Sequence, residues 1–376
     1  MRLRRRADVS VLENSENTSE KTREETDNAY HYRLRAGCEA RWDTSLTLGT
    51  TIQAQGRWDD RSDDRSEPGV SEAYLGMNNI AFLPISAKLG RQSLLLGRGL
   101  LISDWQKEWS FDALDLRYDP FPYVWGLTAA RTARISPDTR LEWIGLGRFS
   151  YEPQLPPLRQ TTLYGGRVES YGGETFGLAG TRAELALSPD LSCWAEIAFQ
   201  NGNAPSGREL AAWIGDIGAE YEFDSWDAEP VVKFRATTAS GGEGDVERDF
   251  VAMMDRRIGG IVLRPILSNI QIYQLGGFCP LGKDAKLGLD IFQYRRNEAE
   301  AGVVGESGWM YEGFLTPASA ESRDLGWEAN ISCELKTREH ITLRISGGMF
   351  DLGPAYAATA SDDRVFEGWI EMVWNY

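Results

Sequence analysis

The sequence is short of the parts that most protein classes need. No run of eighteen apolar residues occurs, so no helix of this chain can span a bilayer. Stretches with helical amphipathic spacing are nearly absent. There are two histidines, His31 and His340, and that scarcity argues against metal sites and histidine-based catalysis. The four cysteines, Cys38, Cys193, Cys279 and Cys333, show no CxxC spacing, so no zinc site is expected. Prolines are too thinly spread to mark a linker. The net charge of -16 argues against nucleic acid as a partner. The chain opens "MRLRRRADVSVLEN" with no apolar segment behind the charges, so a mature form with its signal peptide removed is expected.

What is present is alternation with a period of two, the mark of a strand with two unlike faces. In 30–42, Tyr30, Tyr32, Leu34, Ala36, Cys38, Ala40 and Trp42 share one face; His31, Arg33, Arg35, Gly37, Glu39 and Arg41 share the other. In 46–55, Leu46, Leu48, Thr50, Ile52 and Ala54 oppose Thr47, Gly49, Thr51, Gln53 and Gln55. The division recurs in 191–200, 213–223, 325–335 and 341–350, and the chain ends on it in "RVFEGWIEMVWNY". The apolar faces carry aromatics at their ends and small aliphatics between them. That is the pattern of an apolar band with aromatic girdles; the other faces, rich in Arg, Glu, Gln and Gly, suit a wet lumen.

Connections alternate in length. Short turns fall at 41–45, 119–123, 188–191, 279–284 and 336–340; long polar loops fall at 14–29, 57–70, 96–108, 241–267 and 297–323. The expected fold is all-β: one transmembrane antiparallel up-and-down barrel over residues 1–376 in the bacterial outer membrane, with short periplasmic turns and long extracellular loops. About eighteen strands are expected, starting near residues 2, 30, 46, 71, 86, 110, 124, 140, 161, 176, 191, 209, 229, 268, 285, 325, 341 and 364. Sixteen is the alternative, because 140–150 mixes Glu142 and Arg148 with Ile144 and Leu146. Either even number puts both termini on the periplasmic side, where the last strand can close against the first.

The segment "KLGRQSLLLGRGLLISDWQKEWSFDALDLRYDP" at 88–120 resembles the alginate export family of bacterial outer-membrane barrels. The matching pieces are Leu89-Gly90-Arg91-Gln92, then Phe111-Asp112-Ala113-Leu114, Leu116 and Asp119-Pro120. Shorter echoes are "RLRRRADV" at the start, "LYGGRVE" at 163–169 and "WAEIAFQNG" at 194–202. The resemblance implies a barrel of about eighteen strands whose polar channel passes anionic polysaccharide or smaller solutes. The aromatic C-terminus also resembles the signal read by the barrel assembly machinery.

Alternation assigns Arg2, Arg4, Arg6, Arg33, Arg35 and Arg41 to the lumen, together with Arg117, Arg167, Arg182, Lys233, Arg235, Lys286 and Arg344. Arginine offers planar paired donors to carboxylate or sulfate groups, and rings of Arg or Lys line anion pores. The competing reading pairs these cations with lumen carboxylates such as Glu184, Glu196, Asp216, Asp290, Glu334 and Glu371. The basic cluster lies on the first two strands and the acids on later ones, which predicts a field across the lumen. Arg91 falls on the lipid-side face, where Gln92 or Asp112 is the expected partner. Asp59, Asp60, Asp63 and Asp64 fit no EF-hand spacing. No catalytic constellation appears, so neither enzyme activity nor a cofactor is expected. The expected function is a channel for an anionic saccharide or small polar solute, surrounded by outer-membrane lipid and lipopolysaccharide; the alternative is a closed barrel that binds a partner through its loops. The cysteines, on separate strands, are expected to stay unbridged.

Overall fold

The computed structural model describes residues 2–16, 27–58, 63–65, 68–96, 98–102, 110–133, 141–153, 156–170, 173–204, 206–226, 228–242, 246–251, 258–263, 265, 267–298, 322–338, 340–355 and 364–375. Within these, the side chains of residues 2–31, 55–65, 141, 338 and 375 lie outside the description.

The strands in chain order are β1 (Arg2–Glu16), β2 (Asp27–Trp42), β3 (Leu46–Trp58), β4 (Asp63–Arg65), β5 (Gly69–Met77), β6 (Ile85–Gln92) and β7 (Phe111–Tyr118). There follow β8 (Tyr123–Thr132), β9 (Leu141–Tyr151), β10 (Leu158–Ser170), β11 (Thr175–Ala186), β12 (Leu191–Asn203), β13 (Glu209–Glu222) and β14 (Val231–Ala239). The last are β15 (Val246–Glu247), β16 (Ile270–Pro280), β17 (Ala285–Arg296), β18 (Asp324–Arg338), β19 (Ile341–Leu352) and β20 (Arg364–Asn375). Setting aside the short pieces β4 and β15 leaves eighteen long strands. Their starts fall within three residues of the sequence expectation, the widest gaps being 27 against 30 and 158 against 161. The ambiguous stretch holds four strands, β8 to β11, which decides for eighteen over sixteen.

Each long strand pairs antiparallel with the next; β3 reaches β5 and β14 reaches β16 past the short insertions. β20 then pairs with β1, from Arg6 opposite Asn375 to Asn14 opposite Glu367. The ring of pairings therefore returns on itself. A soluble sandwich would bury its apolar faces between two sheets. Here they point outward. Leu89 is 52% exposed, Leu127 58%, Leu289 56%, Ile331 57% and Ile370 52%. A band of that size in water would be far beyond the few hundred Å² that soluble monomers tolerate. In lipid it is the required surface.

Inward residues lie flat along the wall. The ring of Tyr164 on β10 lies over Gly180 of β11, where a Cβ would come within 2.5 Å of the ring. The indole of Trp194 on β12 covers Gly218 of β13 in the same way. Glycine at these positions lets large side chains lie against the barrel instead of filling it.

The closing strand carries a direct test of the lipid face. Ile370 sits mid-strand, opposite Val11 and Ile345. Ile370→Arg should destabilise the barrel in lipid vesicles by about 2–4 kcal/mol if the site is near the bilayer midplane. A urea-unfolding midpoint equal to that of the wild type would contradict this placement.

Candidate functional site

The lumen wall is built from charge pairs. Arg41 of β2 meets Glu39 at 2.7 Å, and Arg117 of β7 meets Asp119 at 2.6 Å. Arg235 of β14 donates to Asp216 of β13 at 2.6 Å; the same carboxylate accepts from Trp194 Nε1 at 2.9 Å and from the Thr237 hydroxyl at 2.6 Å. Lys233 lies 3.8 Å from Asp290. Arg344 on β19 bridges Glu334 on β18 at 2.7 Å and Glu371 on β20 at 2.8 Å. Arg182 contacts Glu184. Lys286 places its ammonium 3.2 Å from the centre of the Phe278 ring. Six of the expected lumen cations are thus matched locally by a carboxylate, because a charge half-removed from water is costly unless paired.

The remaining basic cluster is on β1 and β2. Arg35 is buried and Arg33 partly buried, both facing inward. The register sets Arg2 opposite Arg41, Arg4 opposite Glu39 and Arg6 opposite Gly37. Residues directly opposite in an antiparallel pair share a face, so these backbone positions belong to the lumen row. The side chains of Arg2, Arg4 and Arg6 lie outside the described residues.

Two long loops fold inward. In the connection after β6, Leu96, Leu100, Leu101 and Ile102 are buried in one apolar cluster with Ile144 and Leu146 of the wall. This corrects the expectation of a polar loop at 96–108, and it explains the apolar inward residues of β9. Arg98 anchors the tip. Its N–H donates to Glu196 Oε2 at 3.1 Å, and its guanidinium reaches Glu184 at 3.3 Å while lying 4.0 Å over the Trp194 ring. Glu196 also accepts from the Tyr164 hydroxyl at 2.9 Å.

The second inward loop joins β14 to β16. Phe250, Val251, Ile258, Val262, Leu263 and Leu267 belong to the same buried cluster. Gln200 on β12 exchanges two hydrogen bonds with Val251, 2.8 Å to its carbonyl and 2.9 Å from its N–H. On the far side Glu328 of β18, fully buried, accepts from the N–H groups of Val262 and Leu263, each at 2.8 Å. The Tyr294 hydroxyl accepts from the Gly260 N–H at 2.8 Å and lies 3.1 Å from both Glu328 Oε2 and the Leu263 carbonyl. Farther out on this loop, burial and the neighbouring Glu247 push the Asp249 carboxyl up to about 6, so the loop loses a negative charge as pH falls through that value.

One expected lumen residue is misplaced. Arg167 shares its face with Leu163, opposite to the inward Tyr164 and Val168, and so points away from the lumen. Strict alternation from Tyr164 requires this, since three residues reverse the face. Arg91 also lies on the outward face and makes two bonds to Asp112, at 3.0 and 3.2 Å. The four cysteines are free thiols. The loop segment 308–318, Asp59 and Asp60 lie outside the described residues. Arg98 was missed as a site residue. The signal was the stretch "SLLLGRGLLI" at 93–102, too apolar for a solvated loop.

Glu328 holds its loop through two backbone donors that have no other described acceptor. Glu328→Leu should leave them unsatisfied, at a cost of about 1–3 kcal/mol per buried group. The expected result is lost hydrogen-exchange protection at Val262 and Leu263 and a larger channel conductance. Protection at the wild-type level would mean that apolar packing alone fixes the loop.

No curated protein sequence matches this chain. Solved structures of the same architecture do. OccK11 (OpdR) of Pseudomonas aeruginosa aligns with TM-score 0.60 at 12% identity, covering 99% of this chain and 95% of that one. The outer membrane protein OprD of Pseudomonas aeruginosa aligns with TM-score 0.62 at 8% identity, covering 100% and 94%. OccAB4 of Acinetobacter baumannii aligns with TM-score 0.62 at 8% identity, covering 100% and 98%. Identities this low establish the barrel fold. The family is established by sequence: the family model for alginate export matches residues 157–367, more than half of the chain. Of the residues that carried the resemblance, 163–169 and 194–202 lie inside that match and 88–120 precede it. This outer-membrane barrel belongs to the alginate export family.

Proposed function

We propose that the protein is a passive outer-membrane channel that carries polar, anionic solutes or an anionic saccharide. The observation that carries this reading is the uneven sharing of charge around the lumen. Of the later strands' lumen cations, Arg117, Arg182, Lys233, Arg235 and Arg344 are engaged by carboxylates on neighbouring positions. The wall formed by β1 and β2 sets Arg2, Arg4, Arg6, Arg33, Arg35 and Arg41 in two facing rows with only Asp8 and Glu39 among them, so basic positions outnumber acidic ones there. A solute with several carboxylates would find planar donors along that wall. The far side, where acids are paired with cations, would offer it no comparable attraction, so the field orients the solute as well as attracting it. The name of the family agrees with this chemistry.

A second reading has its own observation in favour. Two inward loops packed into one apolar cluster narrow the lumen, and a barrel closed in that way would serve as a receptor or structural protein. Conductance separates the two. Reconstituted in a planar bilayer, the protein should give stepwise open-channel currents; silence under all voltages would favour the closed barrel.

If the channel is open, Arg33→Gln with Arg35→Gln should lower anion permeability relative to cations at low salt. The outward face of β2, from Leu34 to Trp42, is untouched by the change. The effect should fade near 1 M salt, where the Debye length falls to about 3 Å. Reversal potentials unchanged at low salt would remove the anionic preference from the proposal and leave a general polar channel.

A further inference from the structure

We propose that the loop joining β14 to β16 carries a proton-operated latch: a proton on Asp249 bridges its carboxyl to Glu247 and holds Phe250 and Val251 down in the lumen. This assignment rests on how the loop is docked and stands whether the lumen conducts or is closed.

The latch sits where the loop turns in from the wall. Val246 and Glu247 form β15 and pair parallel with Glu209 and Leu210 of β13. Glu247 is buried there, contacts Arg208 and accepts from the Ser206 hydroxyl at 3.1 Å. Asp249 lies within hydrogen-bonding reach of Glu247, and its described donor is the Gly242 N–H, at 3.2 Å. Next in the chain, the Phe250 N–H donates to the Ser240 carbonyl at 3.2 Å, and the Ser240 hydroxyl donates to the Arg248 carbonyl at 2.7 Å. Phe250 and Val251 are buried, and Val251 exchanges its two hydrogen bonds with Gln200 of β12. Asp249 is therefore two residues from the point where the loop is fixed to the wall.

Arg208 is the cation that faces both carboxylates. The other charged groups nearby come from three elements. Arg248, on the loop itself, is exposed, as is Glu209 at the start of β13. Glu298, between β17 and β18, pairs with Arg323 at 3.4 Å. The segments 243–245, 252–257 and 299–321 lie outside the described residues. Two adjacent carboxylates beside one guanidinium repel each other when both are ionised, and burial makes that worse. Glu247 holds two side-chain donors, so Asp249 is the group that yields. Either it takes up a proton and donates its O–H to the Glu247 carboxylate, or it swings away and draws Phe250 off the Ser240 carbonyl. Burial, and after it the neighbouring Glu247, raise the docked Asp249 carboxyl from 3.8 to about 6. Protonation thus favours the docked loop: its contribution is present in acid and is lost as pH rises through about 6.

Hydrogen exchange reads the latch without needing an open channel. The full chain is folded in detergent micelles with a chelator present, so that no divalent cation replaces the proton. Exchange is compared near pH 5 and near pH 7.5, each rate divided by that of an unstructured peptide at the same pH. Protection at Phe250 and Val251 should be about tenfold greater at the lower pH, the ratio that follows from about 6 docked and 3.8 free. Asp249→Asn keeps an acceptor for the Gly242 N–H and should show the high protection at both pH values. Glu247→Gln removes the repelling charge and should shrink the step, whereas Glu298→Gln should keep it. Heat-modifiable gel migration confirms that each variant is folded. Equal wild-type protection at the two pH values would overturn the proposal, as would a step of opposite sign. So would a step that survives Asp249→Asn, low protection of that variant throughout, or a step of wild-type size in Glu247→Gln. A step lost in Glu298→Gln would also overturn it, by moving the titrating group to the neighbouring loop.

Discussion

Backbone N–H and C=O groups cannot go unpaired in hydrocarbon, and an open sheet always leaves two rows of them. Everything else in this barrel follows from removing those rows. The last strand must find the first, so β20 carries the same two-faced pattern as every other strand and keeps it to its end. The connections on the side of the termini are short, and the long ones collect on the other. Closure also creates an interior that has to be filled with something other than lipid. Wall side chains, water and inward loops are the available fillers, and this protein uses the first and third in quantity.

The interior fillers obey opposite electrostatic rules at the two ends of the polarity scale. Near the inward loops the wall is apolar: Val168, Phe176, Leu178, Ile214 and Ile270 bury against loop residues and need no partner. Elsewhere the wall is ionic, and several of its charges lean on a neighbouring strand. Asp216 collects three donors from β12 and β14, and Arg344 ties β18 to β20. The two loops are tethered by the same device: a buried wall glutamate accepting backbone N–H groups, Glu196 for Arg98 and Glu328 for Val262 and Leu263. A carboxylate that receives backbone donors is satisfied in the fold without consuming a side-chain cation. That leaves the arginines of the wall for one another's acids.

How much was legible beforehand depended on whether a property has a period. Strand positions were legible because every strand repeats at two residues; the starts at 46, 191, 209, 285, 341 and 364 coincide with the structure. The partner of Arg91 was legible because Asp112 lies on the strand that pairs with it. Loop direction has no period. The same apolar residues at 93–102 and 250–267 could cover a lumen or a partner, and only the docking contacts of Arg98 and Glu328 decide. Arg167 was misread for a narrower reason. The run Gly165-Gly166 carries no side chains to reveal the face, so nothing near it corrects a slip of one residue.

That slip bears on the electrostatics. With Arg167 removed from the lumen, Arg117, Arg148, Arg182, Lys233, Arg235 and Arg344 among the described inward cations of β7 to β20 are matched by neighbouring acids. A paired charge contributes little field beyond its immediate surroundings, since the opposite charge a few ångströms away cancels it at longer range. Any long-range attraction for anions must therefore come from the wall of β1 and β2, where basic residues outnumber acids in the facing rows. The lumen is then asymmetric about its axis, with one attracting side and a balanced remainder. Under the proposed function, such a geometry would hold a charged solute against a single wall as it passes. Neighbouring donors along that wall can exchange it in steps, and no single arginine has to bind it strongly.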